Sequence, residues 1–126
     1  MVHGPADAGD LAYRNLASVC ANYRVAGIAH LLVAAAIENR VQLDRIAASA
    51  AARRVVVCRL TAAIETMQAR VRTREPGKLQ SVLVQRVAQL EAMLDAAAVE
   101  DFIVSNDGRH VTDVARDVLR GAGWNS

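Results

Sequence analysis

RVVVCRLTAAIETMQARVRTREPG, residues Arg54 to Gly77, decides how this chain is read. Val55–Leu60 is a short, nearly continuous apolar run, the pattern of a strand buried on both faces in a parallel sheet. Thr61 can cap the helix that begins at Ala62. The helix then carries three arginines at alternate positions, Arg70, Arg72 and Arg74, before Pro76-Gly77 stops it.

The same grammar extends outward in both directions. Upstream, Asp10 can cap a helix on which Leu11, Leu16, Val19, Cys20 and Tyr23 recur at helical spacing, and Gly27 fits its C′ position. HLLVAAAI, His30–Ile37, follows a turn signal and reads as another buried strand. Val41–Ala51 is a second amphipathic helix with Leu43, Ile46 and Ala47 inward. Downstream of Gly77 the spacing predicts a long helix over Leu79–Ala98, striped by Val82, Val87, Leu90 and Leu94. Phe102–Val104 is a third short strand and Asn106-Asp107-Gly108 a turn. A last helix covers Val111–Arg120, with Gly121 and Gly123 ending it. Strand and helix thus alternate three times. The expected fold is α/β: a three-layer parallel sheet of about three strands flanked by helices. Residues 1–9, with two glycines and a proline, are expected to be flexible, and residues 10–124 to form a single α/β domain.

Composition sets bounds on this reading. A chain of 126 residues, 53% of them apolar, is long enough for one domain with a real core. A net charge of +2 does not demand a polyanionic partner. Fourteen of the fifteen basic residues are arginine, as in GC-rich coding, so arginine count by itself says little. No run of 18 apolar residues exists, and MVHGPADAGD lacks the basic and apolar regions of a signal peptide. Neither a membrane span nor export is expected, and a cytoplasmic location follows by default. Cys20 and Cys58 read as buried free thiols, since no partners stand at metal-ligand spacing. The histidines show none either, and His30 begins a predicted strand.

Taken together, several segments carry a resemblance. They are NLASVCANYRVAG, HLLVAAAI, VVVCRLTA leading to ARVRTREPG, DFIVSNDGRHV, and VARDVLRGAGW. In this order and spacing they resemble the later part of P-loop nucleoside- and nucleotide-kinase-like proteins, of the small ATP-binding type common in actinobacteria. The match runs from about Asp10 to Trp124. It lacks the strand and Walker A loop with which that family begins. G-x-x-x-x-G-K-[ST] holds phosphates on backbone N–H groups and a lysine, and Mg²⁺ on its hydroxyl. The only lysine here, Lys78, follows Gly77, but Leu79 replaces the hydroxyl residue and Arg72 the first glycine. In the family the missing strand lies between those matching His30–Ile37 and Val55–Leu60, so the fold implied is an incomplete one.

The resemblance implies a site. Arg70 and Arg74, on one helix face, and Arg72 beside them, match lid arginines that neutralise phosphate charge; the planar guanidinium suits phosphate oxygens. Asn106, Asp107 and Gly108 match a loop that touches the nucleotide base, beyond the carboxyl end of a strand where ligands bind in open α/β sheets. Glu38, ending a predicted strand, matches an acid serving Mg²⁺ or the acceptor. The residues also admit plainer readings: a solvated arginine face paired with Glu75, a turn capping the last helix, and an acid at a helix start. No catalytic residue and no metal site is assigned.

Two functions follow. The first is a P-loop-kinase-like domain that is not a competent kinase alone, because positioning and charge neutralisation supply nearly all phosphoryl-transfer catalysis. ATP and Mg²⁺ enter only if a Walker A segment is supplied upstream or by a partner. The alternative is a non-catalytic homo-oligomeric interaction module, built on strand edges left open by the missing strand. Nucleic acid is not an expected partner, since Arg70, Arg72 and Arg74 lack interleaved stacking aromatics.

Overall fold

The structure is a computed structural model that describes residues 5–75 and 77–124, without the side chains of residues 5–8. It is a mixed α/β fold, mostly helical, with five helices and one two-stranded parallel sheet among the described residues. The chain divides into two compact units, Met1–Val55 and Val56–Ser126.

In the first unit, α1 (Pro5–Val25) packs against α2 (Arg40–Ala50). The first helix ends as its sequence requires. Gly27 takes φ +85°, its N–H bonds Arg24 O at 3.0 Å, and Ile28 N–H bonds Tyr23 O at 3.0 Å. These are the two bonds of a Schellman stop. Its beginning departs from expectation. Helix is already formed at Pro5, within the segment expected to be flexible, and residues 1–4 lie outside the described residues. Asp10 therefore caps nothing; its carboxylate instead takes a 2.8 Å bond from Arg45 on α2. The Arg45 guanidinium also lies 3.9 Å from the Tyr13 ring centre. The second helix is capped by Asn39, whose Oδ1 accepts from Gln42 N–H at 2.8 Å. Cys20 and Leu43 form the small core.

His30–Ile37 is not a strand. It has no regular structure, and Leu31, Leu32 and Val33 are exposed. The composition suits a strand, but a strand exists only through a partner's hydrogen bonds. The sheet consists of β1 and β2 alone, so the expected third strand and the three-layer sheet built on it are absent among the described residues.

The second unit runs β1 (Cys58–Thr61), α3 (Ile64–Arg74), α4 (Gln80–Ala97), β2 (Phe102–Ser105) and α5 (Val111–Ala122). The strands pair in parallel, Cys58 opposite Phe102 and Thr61 opposite Ser105. Two-residue alternation sends Arg59 toward α4 and Phe102 toward α5. Val71, Val104 and Val114 are the buried residues of this unit among those described. Thr61 is not the cap of α3. It ends β1, and its carbonyl accepts from Asn106 N–H at 2.8 Å. Pro76 of the expected stop lies outside the described residues; Gly77 has φ +104°, and Gln80 N–H bonds its carbonyl at 3.2 Å. Gly121 lies inside α5 and does not end it; Gly123, at φ +76°, does.

Two helices stop on alanine in the left-handed region, Ala51 at φ 50° and Ala98 at φ 47°. Glycine is the residue that takes this conformation without steric cost. Ala98→Gly should stabilise the protein by about 0.5–1 kcal/mol. A thermal melt that fails to move upward would show that the strain at this stop is already relieved.

Candidate functional site

The β2–α5 turn and one side of α3 meet at the carboxyl end of the strand pair. Both strands end there, at Thr61 and Ser105, and the chain turns directly into Asn106-Asp107-Gly108. Gly108 has φ +63°, which the turn needs and glycine supplies. Arg70 reaches this turn from the middle of α3. Its Nη1 donates to Asn106 Oδ1 at 3.1 Å and its Nη2 to the Asn106 carbonyl at 3.3 Å. Two residues thirty-six positions apart, expected to share a site, are thus brought together.

Asp107 holds the start of α3. Ala63, the residue before the helix, has no side-chain cap of its own. Asp107 Oδ2 accepts from Ala63 N–H at 3.1 Å, and Oδ1 accepts from Thr66 Oγ1 at 2.9 Å. The carboxylate thereby occupies the positive end of α3. These two bonds, with the Arg70 charge nearby, hold its pKa below the usual carboxylate range, the Ala63 bond being the largest cause.

This shift fixes a pH dependence. A carboxyl group with a lowered folded pKa contributes stability above the unfolded value and loses it as pH falls through the folded one. Asp107→Ala should therefore lower the melting temperature at neutral pH. The gap between variant and wild type should persist through about pH 4, the ordinary carboxylate range, and close only in stronger acid. A gap independent of pH down to about 2 would mean that the carboxylate charge is not what holds α3.

The other candidate residues of the second unit do not converge on this turn. Arg72 and Arg74 are exposed; the Arg72 carbonyl accepts from Gln80 Nε2 at 2.9 Å, and Arg74 Nε lies 3.9 Å from Glu75 Oε1. Arg74 thus follows the plainer reading of its sequence, a solvated helix face beside Glu75. Glu38 belongs to the first unit, immediately before the Asn39 cap, where its N–H donates to Gln42 Oε1 at 2.8 Å. With no strand at His30–Ile37, it is not a strand-end acid.

Three features were not singled out in the sequence. Thr66 completes the grip on Asp107. Arg109 spans Asp117 at 2.6 Å and the Ser105 carbonyl at 2.9 Å, along the outer side of β2. Arg59 lies in an ion cluster with Glu91 at 2.7 Å and Asp95 at 2.6 Å. The last was signalled: a charge within an apolar strand must find partners, and Glu91 and Asp95 stand four apart on one helix face. An open depression of about 360 Å³ over β2 and α5 is lined in part by Ser105, Arg109, Asp117 and Arg120. None of the expected site residues lines it. Among the described residues no group of three or more His, Cys, Asp or Glu could hold a metal ion, and no helix is long and apolar enough to cross a membrane.

No protein-family model, curated protein or solved structure matches this chain.

Proposed function

We propose that this chain is a P-loop-kinase-like domain that binds a phosphate-bearing ligand weakly and does not transfer phosphoryl groups by itself. What supports the reading is the meeting of Arg70 with Asn106 beyond the carboxyl end of a parallel strand pair, where open α/β sheets bind ligands. Arg70 offers charge and N–H donors there, and the turn offers backbone groups. Its guanidinium is already shared with Asn106, and Asp107 stands beside it, so little net positive charge is presented. The anion position at the start of α3 is filled by the Asp107 carboxylate. A nucleotide phosphate has to compete with both.

ATP affinity should accordingly be no better than roughly millimolar, about −4 kcal/mol. It should weaken with salt, because exposed charges are screened within about 8 Å at physiological ionic strength. It should not require Mg²⁺, since no P-loop hydroxyl is present in the sequence. Calorimetric titration of ATP with and without Mg²⁺, repeated on Arg70→Ala and Arg74→Ala, checks this. Arg70→Ala should abolish the binding, and Arg74→Ala should leave most of it. Micromolar, Mg²⁺-dependent binding that ignores Arg70 would put the site elsewhere.

A second reading, the homo-oligomeric interaction module, is favoured by a different observation. The sheet has only two strands among the described residues, so each strand keeps one edge unpaired by another strand.

A further inference from the structure

We propose that the outer edge of β1 pairs antiparallel with the same edge of a second copy of this chain, about a two-fold axis at Cys58. The proposal rests on the interaction-module reading and names its surface and register.

The ladder determines which backbone groups are available. Asp101 N–H and Phe102 N–H both point to Val57 O, at 2.8 and 3.3 Å, and Asn106 N–H bonds Thr61 O at 2.8 Å. Successive residues of a strand turn their N–H and C=O groups to opposite sides. Val57, Arg59 and Thr61 therefore face β2, while Cys58 and Leu60 face away from it. By the same alternation the outer edge of β2 belongs to Ile103 and Ser105.

The two edges are not equally open. On β2 the Ser105 carbonyl is taken by Arg109, itself anchored on Asp117, so a charged side chain lies along that edge. Charge on an edge is a common guard against strand addition. Among the described residues no charged side chain is bonded along the β1 edge in the same way. That edge continues an uncharged, β-branched approach, Val55-Val56-Val57, and Val55 and Leu60 are 41% and 49% exposed. Head-to-tail addition would need the guarded edge and would propagate without closing. A two-fold pairing uses the open edge twice and closes.

Charge also excludes one register. Outward-facing residues must become the hydrogen-bonded pairs. An axis at Arg59 would set Arg59 directly opposite its own copy, a like-charge pair. An axis at Cys58 sets Arg59 opposite Val57 of the other copy, and Leu60 opposite Val56. Cys58 then faces its own copy with Cα atoms about 5.5 Å apart.

Light scattering across a concentration series, with thiol cross-linking by a short bis-maleimide, tests this on the full chain. The expected result is a dimer that a cross-linker traps in wild type and in Cys20→Ser, but not in Cys58→Ser. Leu60→Pro should dissociate it, because the Leu60 N–H serves the outer edge and not the β1–β2 ladder. Leu60→Lys, a change at a half-exposed surface side chain, should do the same and decides the matter if the proline variant does not fold. Dissociation by either, with trapping through Cys58, supports the pairing. A dimer indifferent to Leu60→Lys and not trapped through Cys58 overturns the β1 edge while leaving an oligomeric module standing. A chain monomeric at every concentration overturns both.

Discussion

Arg59→Ala should destabilise the second unit by about 3 kcal/mol, among the largest effects of any single truncation in it. Arg59 sits in β1 with its side chain only 9% exposed. It carries its charge to Glu91, 16% exposed, and to Asp95, 72% exposed, and its Nη2 also lies 3.5 Å from the Glu91 carbonyl. The Asp95 bond is close to a surface pair and contributes little. The Glu91 bond is different, since removing arginine leaves a carboxylate largely out of water and uncompensated. The same cluster ties β1 to α4 across the long excursion between the strands. Urea unfolding would read the loss as a lower midpoint with an unchanged slope. The double change Arg59→Met/Glu91→Leu separates attraction from desolvation. It should recover most of the stability, because a buried ion pair rarely outperforms an apolar pair of similar size, and the Arg59 Nε has no partner. A loss under about 0.5 kcal/mol for Arg59→Ala would show that water reaches Glu91 and that the cluster behaves as a surface feature.

Gly121→Ala should also destabilise, by about 1–3 kcal/mol, although alanine is the better helix former by about 1 kcal/mol. Gly121 lies in the last turn of α5, where a Cβ would fall within the Phe102 ring; the Phe102 Cδ2 lies 2.7 Å from the Cβ position. Phe102 is half-buried on the face of β2 that α5 covers, near the buried Val104 and Val114. An added methyl must push the ring off its rotamer or lift the helix from the sheet. Phe102→Leu should relieve that overlap, so the double variant Gly121→Ala/Phe102→Leu should lose less than its two parents together. The coupling is read from a double-mutant cycle in denaturant. Additive effects, or a stabilising Gly121→Ala, would show that the ring moves freely and that the glycine marks a helix end and not a packing contact.

Much of the local structure was legible because its causes are local. The start of α2, the Gly27 stop, the Asn106-Asp107-Gly108 turn and the extents of α4 and β2 follow from spacing, capping and glycine placement. A resemblance in the order of segments named Arg70 and Asn106 as residues of one nucleotide site, but not the two hydrogen bonds that join them. What was misread depended on partners distant in sequence. Thr61 stands where a cap is sought, yet the side chain that holds the start of α3 is that of Asp107, more than forty residues on. Gly121 reads as a stop only until the Phe102 ring is set against it.

Residue order alone establishes which segments could be helix or strand and that no Walker A loop lies among these residues. Each of these is a matter of periodicity, residue type or spacing along the chain. Tertiary contacts were needed to show that Cys58–Leu60, the second half of the expected strand Val55–Leu60, enters a sheet as part of β1, while His30–Ile37 does not. Both are apolar runs of strand length. Cys58–Thr61 pairs with Phe102–Ser105, whereas His30–Ile37 joins no sheet among the described residues. A strand's bonds all lie outside its own segment, so no reading of the segment alone can reveal whether they are made.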